Sequence, residues 1–162
     1  MNRLVVILGT THELQNAEKN PRKIDDPQYR ELLELLLAED GIDFIFEEAT
    51  GLGPTTAEKL APRPNRYLDV DPPRDQRETF GIPENTNEHI FLGSPVTSPP
   101  TAVCAERVFH EVHAIREKFW LQEMMRQDFR KALMICGMNH TLSFAFRLRD
   151  ANFDVKTITY VR

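Results

Sequence analysis

Two short, unbroken apolar runs constrain this chain more than anything else in it: Leu4-Val5-Val6-Ile7-Leu8 and Ala132-Leu133-Met134-Ile135-Cys136. Neither alternates apolar with polar residues, a pattern that belongs to strands covered on both faces in a parallel sheet. Each run breaks into the same four-residue turn, Gly-x-x-His, at Gly9–His12 and at Gly137–His140. Glycine lets the backbone leave a strand sharply or approach a ligand closely, because no Cβ intervenes.

The segments between them alternate in type. Asp26-Pro27 can cap and open a helix whose Tyr29, Leu32, Leu33, Leu36 and Leu37 recur at helical spacing and stop before Gly41. Ile42 to Phe46 reads as a second strand, Pro54 to Ala61 as a short helix, and Tyr67 to Asp71 as a third strand closed by Pro72-Pro73. Residues 72–103 hold many of the prolines and no period, the pattern of a long loop or flap. A helical period resumes from Ala105 to Gln127 through Val108, Val112, Ile115, Phe119 and Met124. Leu142 to Asp150 reads as a final helix, and Val155 to Val161 as a closing edge strand that could run antiparallel. This order predicts a single α/β domain over residues 1–162, a three-layer sandwich around a mainly parallel sheet of about five strands.

The totals narrow the class. A length of 162 residues suits one domain, and 41% hydrophobic residues can supply its core. The formal charge of −5 gives no reason to expect a nucleic-acid partner, and no apolar stretch reaches the roughly 20 residues of a spanning helix. The opening segment lacks a secretory pattern, so the expected compartment is the cytoplasm. Cys104 and Cys136 form no metal-binding pair and read as reduced structural thiols. The phosphate-cradling Gly-rich motifs and the Gly-x-Ser-x-Gly elbow are both missing, which disfavours dinucleotide enzymes, P-loop NTPases and serine hydrolases.

Parallel α/β sheets bind ligands beyond the carboxyl ends of their strands. The sequence places His12, Glu47, Glu48, Asp69, Asp71 and His140 at such ends. One such histidine would as readily cap a helix; two, each closing a buried strand, point to one polar site. Two imidazoles and a carboxylate are a common ligand set for a catalytic divalent metal, and His12, Glu47 and His140 are the candidates. The same groups could act without metal as general acid and base. Strand alternation lets only one of Glu47 and Glu48 face the crevice, and Glu47 is slightly preferred. Glu48, Asp69, Asp71 and Glu117 are candidate substrate contacts. Arg116, one helical turn from Trp120, could clamp a carboxylate or phosphate or stabilise an oxyanion. His110 and His113 stand at i and i+3 rather than the i and i+4 of the zinc-protease helix, and read as surface or packing residues. His89 lies in the proline-rich loop without context.

Gly9-Thr10-Thr11-His12, Phe46-Glu47, Ile115-Arg116-Glu117, and Gly137-Met138-Asn139-His140 before Leu148-Arg149 and Val155 together resemble the Tiki/TraB group of proteins. That group is related to the erythromycin-esterase-like and ChaN-like proteins. The resemblance covers roughly residues 3–48 and 110–161; the middle, including Tyr67 to Pro73, has no counterpart. It implies a hydrolytic, metal-dependent site with His12, Glu47 and His140 as ligands or acid/base groups and Arg116 as oxyanion or substrate clamp. Proteolysis, known for the Tiki branch, is not carried over. The expectation is therefore a hydrolase acting on a small-molecule or peptide substrate. The alternative is a non-catalytic domain that captures a small anionic or nucleotide-like ligand.

Overall fold

The computed structural model describes residues 2–15, 26–39, 41–49, 54–82 and 99–161. Five strands form one sheet in the order β3-β2-β4-β1-β5. They are β1 (Leu4–Thr10), β2 (Phe44–Glu47), β3 (Tyr67–Asp69), β4 (Lys131–Gly137) and β5 (Asp154–Thr159). Every pairing is parallel, β5 included, so the antiparallel option for the closing strand is not taken. The helices are α1 (His12–Gln15), α2 (Pro27–Glu39), α3 (Thr56–Leu60), α4 (Pro99–Met125) and α5 (Thr141–Asp150).

The unalternating apolar runs follow from cover on both faces. Val5 and Ile7 of β1 join Phe44, Phe46, Ala132 and Met134 beneath Trp120 and Met124 of α4 and Phe144, Ala145 and Leu148 of α5. Val6 and Leu8 face the other way and join Ile45, Leu133 and Ile135 beneath Tyr29, Leu33 and Leu36 of α2 and Ala57 of α3. Val5 to Leu8 and Ala132 to Cys136 are fully buried, which makes β1 and β4 the spine of a three-layer sandwich. At the edge, β5 carries exposed Asp154, Lys156, Thr157 and Thr159, charged and polar side chains that discourage a further strand from pairing.

Local signals set the helix ends. Asp26 Oδ1 accepts the backbone N–H groups of Gln28 and Tyr29 at 3.0 and 3.2 Å, with Pro27 at the first helical position. Thr55 caps α3 by accepting the Glu58 N–H at 3.1 Å. Most boundaries fall within two residues of the sequence expectation, and three differences bear on the site or its surroundings. A one-turn helix, α1, begins at His12; β3 ends at Asp69 rather than Asp71; and α4 begins at Pro99, six residues earlier than the apolar period suggests. Proline needs no N–H partner in a first turn, so the start of α4 falls inside the stretch read as a flap. Arg74–Gln76 and Glu78–Phe80 are single 3-10 turns in the same stretch, whose residues 83–98 lie outside the described residues, as does His89. Among the described residues no helix is long and apolar enough to cross a membrane.

β4 is inserted between β1 and β2, so the carboxyl ends of three adjacent strands release the turns bearing His12, Glu48 and His140. Cys136 is a buried free thiol in β4; burial, and then the charges of Glu48 and Glu117, push its ionisation upward, as befits a structural cysteine.

Candidate functional site

The second Gly-x-x-His turn needs the glycine of the first. Register sets Gly9 opposite Cys136 and Thr10 opposite Gly137. A Cβ on Gly9 would stand 2.1 Å from Thr141 Oγ1 and 3.5 Å from Met138 Cα, so the second turn rests on the bare backbone of β1. A Cβ on Gly137 would stand 3.4 Å from His12 Nε2 and 3.5 Å from Glu48 Oε2, ordinary van der Waals distances. Gly9 is thus required by packing, whereas Gly137 keeps open a space one atom wide beside an imidazole and a carboxylate. Such a space is where a reacting atom could sit.

Glu48 is the hub. It is fully buried, and its Oε1 lies 3.7 Å from His12 Nε2 and 3.8 Å from His140 Nε2. Arg116 Nη2 donates to the same oxygen, and the Gly137 N–H donates to Oε2 at 2.8 Å. Burial alone would raise the Glu48 pKa. The Arg116 guanidinium, the positive charge that His140 and His12 carry when protonated, and the Gly137 N–H outweigh it and hold the carboxyl below its ordinary value. Arg116 is itself anchored: Nε and Nη2 donate to Asp71 Oδ1 at 2.9 and 2.7 Å, and the guanidinium lies 5.4 Å from the Trp120 ring centroid. Arg77 donates to Asp71 Oδ2.

Both imidazoles are oriented from behind. Gln15 Oε1 is 2.6 Å from His12 Nδ1. Glu117 Oε1 is 3.0 Å from His140 Nδ1 and also accepts the Ser143 hydroxyl at 2.5 Å, while Arg147 Nε lies 3.5 Å from Glu117 Oε2. A carboxylate and an amide oxygen can only accept, so each neutral ring carries its hydrogen on Nδ1 and turns a bare Nε2 toward Glu48. The His140 ring is wedged between His113, at 3.9 Å, and Trp120, at 4.7 Å. His113 is therefore a packing residue and His110 an exposed one.

The structure thus joins His12, Glu48, Arg116, Asp71, Glu117 and His140 into one cluster. Glu47, slightly favoured from sequence, points through the other face of the sheet. Phe44, Phe46 and Glu48 share the α4 side, and Ile45 and Glu47 the α2 and α3 side. Glu47 accepts the hydroxyls of Thr55 and of Tyr67, the latter at 2.9 Å, and the Gln15 amide at 3.1 Å. Its burial, only partly offset by these donors and reinforced by the charge of Asp69, raises its pKa from 4.5 to about 7. Asp69 accepts the backbone N–H groups of Ala49 and Asp71 at 3.2 and 3.0 Å, which fastens the loop after β2 to the end of β3. The sequence reading passed over Gln15, Ser143, Arg77 and the main-chain N–H of Gly137. Of these, Gln15 and Ser143 left a trace, each three positions beyond a motif histidine.

The donor chemistry of His12, Glu48 and His140 suits a divalent ion, since metal-bound imidazoles commonly give their other ring N–H to a carboxylate or carbonyl. The arrangement does not fit one as it stands. The Glu48 oxygen that faces both rings already carries the Arg116 guanidinium, and among the described residues no group of three His, Cys, Asp or Glu side chains is disposed to hold an ion.

No family model, no curated protein and no solved structure matches the chain.

Proposed function

We propose that the chain is a hydrolase in which His12 and His140 move protons beside an ionised Glu48. The observation that carries the reading is the convergence of both Nε2 atoms on one buried carboxylate oxygen, next to the space that Gly137 leaves open. His12 is the general base: its side chain is 36% exposed against 3% for His140, and its Nε2 borders that space. It takes a proton from water, and Glu48 stabilises the imidazolium that forms, as a carboxylate does beside a catalytic histidine. His140, backed by Glu117, is the general acid in its protonated form: with hydrogen on both ring nitrogens it gives the Nε2 proton to the leaving group, and the proton held by His12 restores it after turnover.

The charge around the space supports an uncharged acyl centre, an ester or amide, over a phosphoryl one. Glu48, Asp71 and Glu117 are buried there, and the Nε and Nη2 donors of Arg116 are engaged by two of them. The same engagement argues against capture of an anionic ligand and gives Arg116 the work of holding Glu48 ionised rather than clamping substrate. The likeness of the Gly-x-x-His pair to the Tiki/TraB group adds support for hydrolysis.

A panel of chromogenic esters and amides tests the reading with wild type, His12→Ala and His140→Ala. Each substitution is expected to lower kcat/KM by roughly 10²- to 10⁴-fold while the protein stays folded. Turnover retained in either variant would sink the assignment.

A further inference from the structure

The one-turn helix after β1 brings a side chain into the site whose chemistry is not that of a catalytic group. Gln15 is 1% exposed and its amide is engaged at both ends. Nε2 donates to Glu47 Oε1 at 3.1 Å and to the Glu48 main-chain carbonyl at 3.3 Å; Oε1 faces His12 Nδ1 at 2.6 Å. Both partners of Nε2 are acceptors, so the amide has one satisfactory orientation: turning it over would set its oxygen against two other oxygens. Fixed that way, Oε1 can only accept.

We propose that Gln15 is a positioning residue that locks His12 into the tautomer protonated on Nδ1, so that Nε2 always offers its lone pair to the space beside Gly137. The lock reaches through the sheet. Glu47, held by Thr55 and Tyr67 on the far face, supplies one acceptor, and the Glu48 peptide supplies the other. The peptide carbonyl does not titrate, so the amide keeps its orientation when Glu47 takes a proton. His140 is locked alike but by different chemistry, the Glu117 carboxylate. The two rings thus present the same face of the imidazole to Glu48, one through a neutral amide and one through an anion.

The consequence for catalysis rests on the hydrolase reading above; the tautomer does not. A base that spends part of its time with hydrogen on Nε2 cannot accept a proton there, so loss of the lock lowers kcat and leaves KM in place.

Ring-nitrogen NMR on histidine-labelled protein at pH 8.5 decides the matter, with the His12 signals assigned by their absence in His12→Gln. In the wild type, Nδ1 of His12 should give the protonated, pyrrole-type resonance and Nε2 the bare, pyridine-type one. In Gln15→Met, which keeps the side-chain length and cannot accept, that pattern should average or invert while the His140 signals stay unchanged. On any substrate the wild type turns over, kcat should fall roughly 10- to 100-fold, by analogy with groups that orient metal-bound histidines from behind. Hydrogen on Nε2 of His12 in the wild type would overturn the proposal even if Gln15→Met does not fold. An unchanged His12 pattern in a folded Gln15→Met would do the same. A confirmed tautomer without hydrolysis of any substrate would leave the lock standing and remove the catalytic reading.

Discussion

Glu47 should make the stability of this protein depend on pH in a direction opposite to that of most carboxylates. Its pKa is raised from 4.5 to about 7, mainly by burial, so the folded state holds a proton that the unfolded state releases. Below pH 4.5 the carboxyl is neutral in both states and costs nothing. Between 4.5 and 7 the unfolded state gains from ionising while the folded state does not, and above 7 the folded state carries a buried charge. The contribution present at low pH is therefore lost as pH rises, and the gap between the two values amounts to about 3 kcal/mol. Glu47→Gln removes the charge and keeps the shape. Urea unfolding at intervals from pH 4.5 to 8.5 isolates the effect, because every other titrating group is common to both proteins. The stability of the variant relative to wild type should climb by about 3 kcal/mol over that span and level off near pH 8. Parallel curves would show that Glu47 ionises as an ordinary solvated carboxyl, which would refute the buried Glu47–Thr55–Tyr67–Gln15 network.

The two motif glycines should separate under substitution. Gly9→Ala drives a methyl into Thr141 Oγ1 at 2.1 Å and should cost about 1–3 kcal/mol in chemical denaturation, part of it recovered by adding Thr141→Ala. Gly137→Ala meets His12 and Glu48 only at 3.4 and 3.5 Å, so thermal melting should move little while turnover is lost. Arg116→Met leaves the buried carboxylates of Glu48 and Asp71 without the cation between them, and should cost about 3–5 kcal/mol at pH 7.

Much of this architecture can be read from the sequence because burial on both faces leaves so plain a mark. The runs of β1 and β4, the cap at Asp26, and the glycines that end two strands each have a local cause. Strand topology then carries His12, Glu48 and His140 to one end of the sheet. The choice between Glu47 and Glu48 was beyond it, because alternation separates the two faces without saying which helical layer carries Arg116. The parallel direction of β5 was equally hidden, since edge strands of either sense show the same mixed pattern. Gln15 was missed because its role depends on two oxygens brought from another strand, Glu47 Oε1 and the Glu48 carbonyl. The early start of α4 could have been found at Pro99, a residue suited to a first helical turn.

The central claim is that His12, Glu48 and His140 form one hydrolytic site, and Gly137→Ala tests it most directly, since the substitution fills the open space and touches little else. Wild type and Gly137→Ala, matched for melting temperature, would be compared on the ester and amide panel. The account predicts hydrolysis of at least one substrate by the wild type and its loss in the variant. Equal turnover by the two proteins, or none by the wild type on any ester or amide, would contradict it.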